Sequence, residues 1–129
     1  MSNQFQGVGN LGVAPTLTAV NVAGEARKVA NMRLYFDRQI AKGDDGYADK
    51  GGFWLSVDMW GFRAEEAIRL LKKGSRVFVQ GMLREESWKE ETGEERTALR
   101  LTVDYFAIDS ICVESLQFKE KSHRAAHSE

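Results

Sequence analysis

Apolar and polar residues alternate with a period of two in four stretches of the chain, and in a fifth the apolar residues follow a helical period. Val29 to Ile40 places Ala30, Met32, Leu34 and Phe36 on one side and Arg33, Tyr35 and Asp37 on the other. Phe53 to Trp60 divides most cleanly: Phe53, Leu55, Val57 and Met59 form a wholly apolar side, and Trp54, Ser56, Asp58 and Trp60 the opposite one. Arg76 to Arg84 brings Val77, Val79, Gly81 and Leu83 into phase. Thr97 to Val113 predicts a long final strand with Leu99, Leu101, Val103 and Tyr105 in phase. The phase changes near Phe106, which predicts a bulge or bend there.

The helical stretch is Ala64 to Lys73, where Ala64, Ala67, Ile68 and Leu71 share a face. Glu65 and Glu66 open it and Lys72 and Lys73 close it, as the helix dipole prefers, and Gly74 is a stop. Before these elements, Gln4 to Thr18 predicts two short extended segments around a turn at Asn10–Gly12. Lys42 to Gly52 reads as a polar, glycine-rich loop and Glu91 to Glu94 as a turn. Three strands, a helix and two more strands predict an all-β OB-fold, a five-stranded Greek-key barrel with one helix between strands 3 and 4. The expected domain is 1–116, followed by a short disordered tail, 117–129, poor in apolar residues.

The 129 residues suit a single core. No apolar run approaches the ~20 residues of a membrane helix, and no signal peptide is visible. Cys112 is the one cysteine, so neither an internal disulfide nor a multi-cysteine zinc site is available, and a cytoplasmic setting is expected. The net charge of -1 hides an asymmetry: residues 25–81 carry +3 and residues 82–118 carry -5. A polyanion is attracted to the middle of the chain.

Signals of catalysis are few, and no enzyme activity, cofactor or metal is expected. Gly7 to Gly12 spells the G-x-G-x-x-G of dinucleotide-binding folds, but that fingerprint must open a helix, and Pro15 and Thr16 follow. It reads as a glycine-rich turn. His123 and His127 fall in the tail, Cys112 reads as a buried inert thiol, and Asp44, Asp45 and Asp49 lack the glutamate that closes a cation loop. Asp58, a carboxylate without a visible partner, reads as a solvated side chain.

The tryptophans stand apart. Trp54 and Trp60 lie on the side of their strand that Ser56 and Asp58 mark as wet, and Trp88 stands among Glu85, Glu86, Ser87, Lys89 and Glu90 on a solvated hairpin. Exposed flat rings suit stacking on unpaired bases; a protein–protein interface also enriches tryptophan. Arg33, Arg38, Lys42, Lys50, Arg63, Lys72, Lys73, Arg76 and Arg84 could line a phosphate track.

These motifs together resemble the bacterial single-stranded DNA-binding protein family. The resemblance covers about residues 7–105 and rests on Gly9-Asn10-Leu11-Gly12, on Val29 to Leu34, on Phe53 to Gly61, on Leu71 to Arg84 and on Trp88 with Glu91-Thr92-Gly93-Glu94. It implies sequence-independent binding of single-stranded DNA in replication, recombination and repair, by a nucleoid-associated homotetramer. Trp54, Trp60 and Trp88 fall on base-stacking positions, and Lys73 and Arg84 on phosphate contacts. Phe5, Leu55 and Phe78 fall where subunits meet. Ile40, Ser56, Phe62, Glu86 and Ser87 depart from the aromatic or basic residues common in the family. The short basic end implies weak recruitment of partners that read an acidic tail. The alternative is an oligomeric OB-fold scaffold or primosomal-type accessory protein whose aromatics contact protein.

Overall fold

The alternating residues become strands whose apolar sides turn inward. The computed structural model describes residues 3–41 and 47–120, except for the side chains of 38–41 and 47–50. In chain order the elements are β1 Gln4–Leu11, β2 Thr16–Val22, β3 Glu25–Ala41, β4 Tyr47–Trp60, α1 Phe62–Leu70, β5 Arg76–Lys89 and β6 Glu95–Ile108, and a 3-10 turn follows at Ser110–Cys112.

β1 pairs with β5, β5 with β6, β6 with β4, β4 with β3 and β3 with β1, so the pairing closes on itself. The β4–β6 pair is parallel and the others are antiparallel. This is the expected OB-fold barrel. A bend at residues 12–15, which includes Pro15, splits the first of its five strands, and the detached half, β2, forms a hairpin with β3. Gly7 and Gly9 lie within β1 itself, so the glycine-rich segment is strand up to Leu11 rather than turn.

Ala30, Met32, Leu34, Leu55, Val57, Met59, Val77, Val79, Leu101 and Val103 fill the barrel. α1 adds Ala64 and Ala67 to the same core and packs on β3 and β4. The helix ends at Leu70 rather than Lys73, and Gly74 takes a positive φ of 90° in the turn that leads to β5. Among the described residues no helix is long and apolar enough to cross a membrane.

The expected bulge falls at Asp104. Gln80 pairs with Tyr105 and Gly81 with Val103, leaving Asp104 as the extra residue. Leu101, Val103 and then Phe106 can thereby all face inward, and Tyr105 turns out. The strands approach so closely here that a Cβ on Gly81 would collide with the Thr102 carbonyl oxygen.

Several expectations are corrected. Phe53 and Leu99 share the inward phase but are 50% and 54% exposed, and Phe53 stacks on Phe36 at 5.5 Å with its outer side left open. Leu55, expected between subunits, is buried in the core. The last strand stops at Ile108, and Cys112 is exposed in the 3-10 turn, which the Asp109 side chain caps by accepting from the Ile111 N–H at 3.2 Å. β4 begins at Tyr47, so residues 47–52 of the expected loop belong to a strand that pairs with β3. Residues 42–46 and the expected tail from 121 onward, with His123 and His127, lie outside the described residues.

A methyl group on Gly81 has no room at this seam. Gly81→Ala is expected to lower stability by at least about 2 kcal/mol, because overpacked backbone must move. Urea denaturation measures the loss, and an unchanged midpoint would place the seam elsewhere.

Candidate nucleic-acid interface

With the interior filled, alternate residues of β3, β4, β6 and β5 face outward and fall into rows across the strands. One row is Arg33, Ser56, Arg100 and Arg84, each in register with the next. The row beside it, toward α1, is Asn31, Asp58, Thr102 and Met82. Trp54 and Trp60 flank these rows on β4, one on each side. Trp88 lies farther along β5 in phase with Arg84, opposite Arg96.

Asp58 organises the centre of this face. It is buried at 4% exposure, not solvated as its neighbours in sequence suggest. Its Oδ1 accepts from Asn31 Nδ2 at 2.6 Å and from Arg100 Nη2 at 2.5 Å. Its Oδ2 accepts from Arg100 Nε at 3.0 Å and from Arg84 Nη2 at 3.3 Å. The two-pronged contact fixes the Arg100 guanidinium in the plane of the carboxylate. Its pKa is held above the ordinary arginine value, first by the hydrogen bond to Asp58, against an opposing effect of burial; the charges of Asp58 and Glu86 add to the rise. Arg84 also reaches Thr102 Oγ1 at 3.4 Å, and Arg100 lies 3.6 Å from Glu86 Oε1. Arg33 donates to Ser56 Oγ at 2.9 Å.

The rings are held from the side. Tyr35 is tilted against Trp54 with 5.2 Å between centroids, and the Arg33 guanidinium lies 5.7 Å from the Trp54 ring. Gly12 lies beneath the indole, where a Cβ would come within 2.7 Å of it. Trp54 keeps 49% of its surface exposed and Trp88 keeps 45%. Trp60 is partly buried, with Arg27 5.5 Å from its ring.

The remaining expected contacts divide. Arg33 and Arg84 stand in the row between the tryptophans. Lys72 and Lys73 are exposed on the turn after α1, which is tied to the bend under Trp54: Gly74 N–H donates to the Leu11 carbonyl at 2.9 Å and Leu11 N–H to that of Ser75 at 2.9 Å. Arg76 shares a row with Trp54 through Tyr35 and Asn10. Its guanidinium is already engaged, with Asp109 at 3.2 Å, Asn10 at 3.3 Å and Asp37 at 4.0 Å. Arg63 donates to the Asp104 carbonyl and covers Tyr105. Lys42 and the side chains of Arg38 and Lys50 lie outside the described residues. Arg100 was absent from the expected track, because an arginine in a strongly acidic stretch carries no signal of its own; the parallel register with β4 brings it in.

A model of the Single-strand binding protein family matches residues 2–109. The single-stranded DNA-binding protein of Mycolicibacterium smegmatis is 36% identical over 99 residues, which are 75% of this chain and 58% of that protein. Single-stranded DNA-binding protein 2 of Streptomyces coelicolor is 35% identical over 75% of this chain and 48% of its own length. The chain thus spans roughly half the length of these curated relatives. Among solved structures, the small single-stranded DNA-binding protein of Streptomyces coelicolor superposes with a TM-score of 0.71 at 21% identity, covering 84% of this chain and 95% of that one.

Removing the buried carboxylate leaves two arginines without their shared acceptor. Asp58→Ala is expected to lower stability by about 1–3 kcal/mol, the usual cost of stranding polar partners. A denaturation midpoint equal to that of the parent protein would show that the arginines find water at no cost.

Proposed function

We propose that this chain, which belongs to the single-strand binding protein family, coats single-stranded DNA without sequence choice. Bases stack on Trp54, Trp60 and Trp88, and phosphates pass Arg33, Arg84 and the turn of Lys72 and Lys73. The observation that carries this reading is a face bearing tryptophans and arginines on strands whose other side is a complete core. Rings in that position are not needed for packing, and stacking on them is indifferent to base identity. On this reading the protein protects single strands in replication, recombination and repair in the bacterial cytoplasm, and performs no catalysis.

The same reading includes self-assembly into a homotetramer. The outer face of β1 and β5 carries Val8 in register with Phe78, and the Phe78 ring meets Tyr105 at 6.4 Å. An apolar outer face of this kind suits contact between copies. Sedimentation of the free protein reads the assembly directly.

Titration with oligo-dT, followed by tryptophan fluorescence, tests the binding itself. Stacking quenches the emission. Trp54→Ala, Trp60→Ala and Trp88→Ala are each expected to weaken binding by about 1–3 kcal/mol while the protein stays folded. Fluorescence that does not respond to DNA would favour a scaffold whose tryptophans contact protein.

The dependence on salt follows from the charges. Arg84 and Arg100 already share Asp58, so fewer phosphates are neutralised than the number of arginines suggests. Affinity for oligo-dT is expected to fall with salt more gently than for a relative with basic residues at 56, 62, 86 and 87. Arg84→Ala should reduce the slope by about 0.7, one phosphate on a single strand. A salt series across the two proteins decides it.

A further inference from the structure

The two tryptophans of β4 are each covered by an arginine of β3, and the two pairs repeat. Arg27 lies 5.5 Å from the Trp60 ring and Arg33 lies 5.7 Å from the Trp54 ring. Across the antiparallel β3–β4 pairing, Val29 is opposite Trp60 and Tyr35 is opposite Trp54. Each arginine therefore sits two residues before the residue facing its tryptophan. The second pair is the first one moved six residues along the hairpin, roughly 20 Å at strand rise. Parity carries Arg27, Asn31 and Arg33 to the same outer face.

Arg27 played no part in the track expected from the sequence, and no packing role accounts for it. It is exposed, and among the described residues it forms no ion pair, although the neighbouring Lys28 is paired with Glu65 at 2.9 Å. The indole is its companion. A cation over an exposed ring is a weak contact and is readily exchanged for a stronger one. A phosphate offers the guanidinium a charge-assisted hydrogen bond, and a base offers the vacated ring a flat partner.

We infer that Arg27 is a further DNA-contacting residue, and that Arg27 with Trp60 and Arg33 with Trp54 form two equivalent subsites for a base and its phosphate along one strand. In the free protein each guanidinium rests over its indole. When DNA binds, the base takes the ring and the guanidinium moves to the phosphate alongside. A stacked strand advances about 3.4 Å per nucleotide, so the two subsites are about six nucleotides apart on a stacked strand and fewer on an extended one. This inference rests on the proposed single-strand binding and adds the second cation and the repeat.

The test is the salt dependence of oligo-dT binding for the intact chain and for Arg27→Ala, Arg33→Ala, the double variant and Arg27→Lys. Each single alanine variant is expected to lower the slope by about 0.7, and the double variant by about 1.4. Arg27→Lys keeps the charge and is expected to keep the slope. Equal losses from Arg27 and Arg33 support equivalent subsites. An unchanged slope in Arg27→Ala, with binding by the parent protein intact, overturns the inference and leaves the proposed function standing; Arg27 would then be only a cover for Trp60. Failure of the parent protein to bind oligo-dT overturns both. Thermal melting of each variant accompanies the titrations. Should Arg27→Ala unfold, Arg27→Gln takes its place, because it retains the stem and a polar head while removing the charge; an unchanged slope there overturns the inference in the same way.

Discussion

Closure of the strand ring is the constraint on which everything else depends. Five strands pair around a circle, so each residue must choose between a small apolar interior and the outside. Leu34, Val57, Met59, Leu101, Val77 and Val79 occupy that interior to the point of full burial. No room remains for a tryptophan, an arginine or a second aromatic layer. The outer face gains its rings because the inner face is already complete. Closure also demands the tight seam at Gly81, where the extra residue Asp104 lets β6 turn without losing its inward leucine, valine and phenylalanine.

The outer face is not a simple basic stripe. A buried carboxylate stands under its centre and takes bonds from Arg84 and Arg100, with Asn31 holding one of its oxygens. Bringing an aspartate out of water is costly unless its partners are fixed, and here the barrel wall fixes them, since three different strands supply the donors. The consequence is a face on which the arginines are ordered but partly neutralised. Stacking then carries a larger share of any binding to nucleic acid, and Arg27 and Arg33, which rest on indoles, form no ion pair with a carboxylate among the described residues.

Much of this was legible along the chain. Alternation located the main strands and their inward sides, the helical period located the helix, and the break in phase near Phe106 marked the bulge within two residues. It failed where the inward phase does not bring burial and where a strand is polar. Phe53 and Leu99 keep the inward phase but stay half-exposed, Phe53 resting on Phe36 and Phe5, and the polar composition of Tyr47 to Gly52 hid the first part of β4. Cys112 lies past the last strand, where composition suggested burial and the 3-10 turn leaves it exposed.

What the sequence determined by itself is the periodicity: which residues share a side, and that Trp54 and Trp60 oppose a full apolar face. Period two is a property of the extended backbone and needs no neighbour. Which residues meet across strands was decided only by the tertiary structure. Asp58 looked solitary because Asn31, Arg84 and Arg100 are between 26 and 42 residues away from it in sequence. Arg27 carries no signal along the chain, and antiparallel register sets it over Trp60. Register and barrel closure depend on the whole set of strands at once, and a single strand's pattern holds no record of its partner's.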